Sequence, residues 1–225
     1  MEIEENIKEF QNYLSNKNCK LIAVSKTKPV GDLLKAYQAG QRDFGENKVQ
    51  ELRDKQPELP PDIRWHMIGH LQSNKVKYIA PYVHLIHSVD SLKLLMEINK
   101  QAIKNDRIIP CLLQLHIAEE ESKFGFDENE LKEMLDSMDF MNLLNIKIIG
   151  LMGMATFTEN EQQIRKEFRS LKKTFEFFKN HYSLPNADWK EISMGMSGDY
   201  QIAIEEGSTM IRVGSSIFGE RIYHT

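Results

Sequence analysis

A lysine closes a short apolar run near the start of the chain, in Leu21-Ile22-Ala23-Val24-Ser25-Lys26-Thr27-Lys28-Pro29. The run reads as a buried strand, and Pro29 stops regular pairing and biases Lys28 toward an extended conformation. Desolvation at the end of an apolar strand disfavours an ammonium group, and an amine that gives up its proton is a nucleophile toward aldehydes. The same position also suits a lysine whose stem lies on apolar surface while its head stays in water. The segment alone does not choose between the two.

Two later segments have the composition of an anion cradle: Ser193-Met194-Gly195-Met196-Ser197-Gly198-Asp199 and Ile211-Arg212-Val213-Gly214-Ser215-Ser216. Gly195, Gly198 and Gly214 let backbone N–H groups approach an anion closely, and Ser197, Ser215 and Ser216 add hydroxyl donors. The stretch after Ser197 reads as helical, so its N-terminal dipole favours negative charge there. Arg212 adds a permanent cation with a planar fork of donors. In a single loop such residues are as often plain turn formers, but two such loops together point to phosphate.

Other clusters carry less. His66 and His70 are four apart but sit at a strand end, so the helical HExxH zinc geometry is missing. His84 and His87 fall on opposite faces of a strand and read as unconnected. Glu119-Glu120-Glu121 reads as a solvated loop. Gly214 and Gly219 have P-loop-like spacing, but Glu220 stands where the lysine belongs, and no dinucleotide fingerprint follows the first strand.

The elements that must position these residues are eight short apolar runs, at 21–24, 43–45, 65–68, 85–88, 109–116, 146–152, 191–194 and 210–213. Between them lie segments with helical spacing, clearest at 159–181, where Phe168, Leu171, Phe175 and Phe178 form one face. Strand-helix alternation predicts a parallel sheet, and eight strands predict a closed (β/α)8 TIM-type barrel, a single domain over residues 1–225. In such barrels the site lies at the C-terminal strand ends, with phosphate after strands seven and eight. The last helix is too short to close the barrel alone, and the amphipathic stretch Ile3–Leu14 is expected to cover the gap.

At 225 residues, with 41% hydrophobic and 28% charged residues and a net charge of −4, the chain suits a soluble globular protein. The charge gives no whole-chain reason to bind nucleic acid or anionic lipid. Cys19 and Cys111 suit reduced thiols, the N-terminus lacks signal-peptide character, and no apolar run approaches the ~20 residues of a membrane span. The expected location is the cytoplasm.

A lysine at one strand end facing a phosphate cradle at two others suits pyridoxal 5′-phosphate, which needs an amine for its aldehyde, an anion site, and a group at its pyridine nitrogen. The chain resembles the pyridoxal phosphate homeostasis proteins (the YggS/PROSC family), which look like the barrel half of alanine racemase. The resemblance spans essentially the whole chain. It rests on Ala23-Val24-Ser25-Lys26-Thr27-Lys28-Pro29, Phe44-Gly45-Glu46-Asn47, Trp65-His66-Met67-Ile68-Gly69-His70-Leu71-Gln72-Ser73-Asn74-Lys75 and Ser122-Lys123-Phe124-Gly125. Gly150-Leu151-Met152, the 193–199 segment and Gly207-Ser208-Thr209-Met210-Ile211-Arg212-Val213-Gly214 continue it.

The resemblance implies a Schiff base on Lys26 rather than Lys28, although period two puts both on one face and spacing alone does not choose. It implies further cofactor contacts at Asn47, His66, Met196, Ser197, Arg212, Gly214 and Ser215, with no catalytic residue and no metal. Whether Arg212 meets the phosphate or the ring nitrogen stays open. The implied function is buffering or delivery of the cofactor, with apo forms of pyridoxal phosphate enzymes as partners and a monomeric state. The alternative is an amino-acid racemase, which needs a base on each face of the substrate carbon. In alanine racemase the second base is a tyrosine from a further β-domain, which a chain ending at Thr225 is not expected to carry. Lys75 and Lys123 are candidates for a reserve cofactor site.

Overall fold

A computed structural model of the chain describes residues 2–119 and 124–220. Its strands are β1 Lys20–Val24, β2 Asp43–Glu46, β3 Arg64–Met67, β4 Leu85–Val89, β5 Ile109–Gln114, β6 Ile146–Met152, β7 Ala187–Ser193 and β8 Met210–Val213. They form a closed parallel barrel in sequence order, β8 returning to pair with β1. This is the (β/α)8 barrel expected from the alternation of strand and helix patterns.

The helices are α1 Ile3–Leu14, α2 Val30–Gln38, α3 Val49–Lys55, α4 Leu92–Lys104, α5 Glu128–Leu135, α6 Met138–Met141, α7 Glu161–His181, α8 Tyr200–Glu205 and α9 Ser215–Phe218. A 3-10 turn, Ser73–Tyr78, takes the helical place after β3. In α7, Phe168, Leu171, Phe175 and Phe178 are buried as their spacing predicts. The helix starts at Glu161 rather than 159 because the Asn160 side chain accepts from the N–H groups of Gln162 and Gln163. Helix α1 packs on β1, α2 and the short α9, and Asn6 Nδ2 donates to the Ile217 carbonyl at 2.9 Å. The N-terminal helix therefore covers the gap that α9 leaves.

Alternation along the strands separates two cores. Leu21 and Ala23 belong to the outer core shared with the helices, whereas Ile22, Leu85, Leu112, Met152 and Met210 form a separate inner cluster. Burying a side chain such as Ile22 contributes roughly 1.5–3 kcal/mol. The same parity continues from Ile22 through Val24 to Lys26. The expected strand at 109–116 is shorter, because Leu115 leaves the ladder for an isolated bridge to Phe126. Cys19 and Cys111 are free. Among the described residues no helix is long and apolar enough to cross a membrane.

Candidate functional site

The C-terminal strand ends surround a cleft of about 630 Å³. Of the residues singled out in the sequence, Lys26, Asn47, Met196, Ser197, Arg212, Gly214 and Ser215 line it together. Lys28 also lines it, but its ammonium donates to the carbonyls of Phe218, Gly219 and Glu220 at 2.9, 3.1 and 3.1 Å.

The turn carrying Lys26 is held from below by a buried ion cluster. Ser25 Oγ donates to Glu46 Oε1 at 2.6 Å, and Lys55 Nζ donates to the Ser25 carbonyl, Glu46 Oε1 and Glu51 Oε2 at 2.9, 2.8 and 3.0 Å. The Thr27 N–H donates to Glu51 Oε2 at 2.6 Å. These bonds hold Thr27 at φ 65°, a left-handed conformation that a β-branched residue adopts only when its surroundings impose it. Burial pushes the Glu46 carboxyl above the usual carboxylate range, opposed by the Lys55 ammonium. Neither Glu46 nor Lys55 had been read as part of the site, since their contact depends on how α3 packs under β2.

The cradle is built from the turns after β7 and β8. The Met196 N–H donates to Asp199 Oδ1 at 2.6 Å, and the Gly214 N–H donates to Ser197 Oγ at 3.2 Å, which joins the two turns. Gly195 has φ +98°, and a Cβ there would stand 2.6 Å from Ala203 Cβ, so the turn requires glycine. A Cβ on Gly214 would come within 3.1 Å of the Val24 carbonyl, which sets the cradle directly beside the end of β1. Among the described residues the N–H groups of Ser197, Gly198, Ser215 and Ser216 meet no protein acceptor. Four unsatisfied donors beside three serine hydroxyls fit a phosphate group.

Arg212 forms part of the cleft wall yet is only 4% exposed. Its Nη1 donates to Ser193 Oγ at 2.6 Å and its Nη2 to the Gly153 carbonyl at 3.1 Å. Burial lowers its pKa to about 10, with Asp199 opposing the shift, so the guanidinium keeps its charge at neutral pH. Among the described cleft-lining side chains, Lys26, Lys28 and Arg212 are accompanied by a single carboxylate, Asp199.

His66 stands apart. The sequence reading set it beside the cofactor ring; in the structure it is buried inside the barrel, is not among the described cleft-lining residues, and has both ring nitrogens engaged. Its Nε2 lies 2.9 Å from Asp43 Oδ1 and its Nδ1 lies 2.9 Å from His87 Nε2. His87, which the sequence separates from His84, pairs through Nδ1 with Ser193 Oγ at 2.8 Å. Face alternation within one strand separates His87 from His84 but says nothing about the neighbour across the ladder. Asp43, His66 and His84 place ligand-type atoms within 4.8 Å of one another, but Arg64 already forks onto Asp43 at 2.8 and 2.6 Å.

The loop after β6 supplies lining residues absent from the sequence reading: Met154, Ala155, Thr156, Phe157 and Thr158. Buried Glu167 of α7 clamps this loop, accepting from the Thr156 N–H and hydroxyl at 2.7 and 2.8 Å. Lys75 lines a separate cleft of about 280 Å³ with Lys48, Arg53 and Tyr78, meeting the main cleft at Asn47. Lys123, Ser122, Glu120 and Glu121 lie outside the described residues, while Glu119 is exposed as expected.

The model of the alanine racemase N-terminal domain family matches residues 1–222. The pyridoxal phosphate homeostasis protein of Aquifex aeolicus is 40% identical over 92% of this chain and 89% of its own. The human protein of the same name is 38% identical over 91% of this chain and 77% of its own. The structure of PipY from Synechococcus elongatus with pyridoxal phosphate bound superposes with a TM-score of 0.87 at 35% identity, over 96% of this chain and 100% of that one. By these matches the chain belongs to the pyridoxal phosphate homeostasis protein family, built on the N-terminal barrel domain of alanine racemase.

Proposed function

We propose that this chain binds pyridoxal 5′-phosphate reversibly, with Lys26 as its covalent attachment point, and buffers or delivers the cofactor to apo enzymes without turning over a substrate. When bound, the cofactor supplies an electrophilic aldehyde carbon and an electron-withdrawing pyridine ring. The observation that carries the reading is the pairing of Lys26 with the donor-lined turns of Ser197–Gly198 and Ser215–Ser216 across one cleft. Ser197, Ser215 and the turn N–H groups bind the phosphate; Asn47 and Met196 border the ring.

The cleft lining also supports a carrier. Racemisation needs a proton acceptor on each face of the substrate carbon. Among the described lining residues there is no tyrosine or histidine, and the Asp199 carboxylate is tied to the Met196 N–H. Borohydride reduction of the loaded protein followed by peptide mass spectrometry tests the attachment point, and conversion of L-alanine to D-alanine tests the carrier role. A label on Lys26 with no racemisation is expected. A label elsewhere contradicts the attachment, and turnover lost in Lys26→Ala contradicts the carrier.

A further inference from the structure

Arg212 and Asp43 stand at the two ends of a continuous hydrogen-bonded row that crosses the barrel interior: Arg212, Ser193, His87, His66, Asp43. The chemistry of its ends dictates the direction of every bond. A guanidinium only donates, and an ionised carboxylate only accepts. Ser193 Oγ accepts from Arg212 Nη1 and keeps its one proton for His87 Nδ1, the direction that the acceptor-only Asp43 carboxylate at the other end requires of two neutral rings. The neutral His87 ring then carries its proton on Nε2 and gives it to His66 Nδ1. His66 in turn carries its proton on Nε2 and gives it to Asp43 Oδ1.

Opposite tautomers on both rings would set the bare Nε2 of His66 against the Asp43 carboxylate, lone pair to lone pair. A charged ring is disfavoured because both histidines are essentially buried, 1% and 0% exposed, and His87 also faces the Arg212 charge. At the far end Arg64 Nε and Nη2 fork onto Asp43. They help hold that carboxyl ionised well below the usual carboxylate range despite its burial. The same proton on His66 Nε2 blocks the atom that a metal ion at Asp43, His66 and His84 would need.

We propose that Asp43, His66 and His87 are positioning residues, which act through Ser193 as a one-way hydrogen-bond wire that fixes the Arg212 guanidinium in the wall of the cofactor cleft. The wire deepens the cofactor-binding reading and rests on it for its purpose, though not for its geometry. It gives a cluster at the N-terminal end of the barrel a hold on a group at the C-terminal mouth. With Nη1 and Nη2 each anchored inward, the guanidinium plane is set before any ligand arrives, which reduces the ordering that binding must impose.

Two measurements test this. In protein labelled with 15N-histidine and free of cofactor, two-bond 1H–15N spectra at neutral pH are expected to show His66 and His87 neutral, each with its proton on Nε2. A proton on Nδ1 of either ring, or a doubly protonated ring, overturns the wire whatever the protein binds. In the second, Asp43→Leu removes the terminal acceptor, whereas Asp43→Asn keeps an oxygen that can accept from both His66 and Arg64. Cofactor affinity in Asp43→Leu is expected to fall roughly tenfold, the scale of losing one well-placed charged hydrogen bond. Its bound-cofactor absorbance is expected to change in pH profile, and Asp43→Asn to restore both. Folded Asp43→Leu with unchanged affinity and pH profile overturns the positioning role. Wild-type protein that takes no pyridoxal phosphate contradicts the function proposed above, while the histidine spectra still decide the wire.

Discussion

Lys28 Nζ donates to the Phe218 carbonyl at 2.9 Å, a bond between residues 190 positions apart that ties the turn after β1 to the end of α9. The bond gives Lys28 a structural task. Lys26, two residues earlier on the same strand parity, opens onto the cleft that contains the donor-lined cradle.

Replacing each lysine separates these tasks. Lys26→Ala is expected to abolish covalent retention of pyridoxal phosphate, read as loss of the reducible adduct. Lys28→Ala is expected to keep the adduct and lose about 1 kcal/mol of stability, measured by urea unfolding, because three carbonyls lose a charged donor.

The cradle makes a prediction about the phosphate. Pyridoxal phosphate is expected to bind far more tightly than pyridoxal, and Ser197→Ala to narrow the gap, both by spectroscopic titration. Gly195→Ala is expected to destabilise the fold by roughly 1–3 kcal/mol, since φ is +98° and a Cβ would collide with Ala203. At Gly198 a Cβ meets nothing within 4 Å, so Gly198→Ala is expected to fold normally.

Removing one partner of the buried pair below Lys26 is expected to be severe. Lys55→Met leaves Glu46, with no exposure, without its cation and with only the Ser25 hydroxyl as donor, and is expected to lose about 3–5 kcal/mol in denaturant unfolding. Pairing it with Glu46→Leu is expected to recover much of that loss. Equal losses in the single and double variants would show that the pair is not coupled.

Acid sensitivity follows from the wire. Burial holds His66 and His87 below the ordinary imidazole value, so the unfolded chain binds more protons than the folded one as pH falls. Stability contributed by the two rings is present above the unfolded value of about 6.5 and is lost as pH drops from there toward the folded values. Each ring contributes a slope of up to about 1.4 kcal/mol per pH unit in that window. Around them lie Asp43, Arg64, Lys20, His84 and Arg212, and only Asp43 favours protonation of His66. Thermal melts between pH 7 and pH 5 are expected to show a slope that shrinks in His87→Leu.

Much of the architecture was legible because it is local. Short β-branched runs bounded by turn residues marked the strands, and the spacing of Phe168, Leu171, Phe175 and Phe178 marked α7. The glycines and serines after β7 and β8 were legible as turn residues for the same reason, and the turns they form are joined by the Gly214 N–H bond to Ser197 Oγ. What escaped depends on contacts across the ladder or across the whole chain. His87 meeting His66 requires the β3–β4 register, Lys55 reaching Glu46 requires the packing of α3, and the Lys28 contact joins opposite ends of the sequence. The lining loop after β6 carries no charged or glycine-rich signature beyond Gly153, so nothing in its composition marked it.

The central claim is that Lys26 holds the cofactor. Protein loaded with pyridoxal phosphate, reduced with borohydride and digested, is expected to yield one major pyridoxyl-modified peptide, with the label on Lys26 and lost in Lys26→Ala. A label on Lys28, or a reducible adduct that survives in Lys26→Ala, would contradict the account.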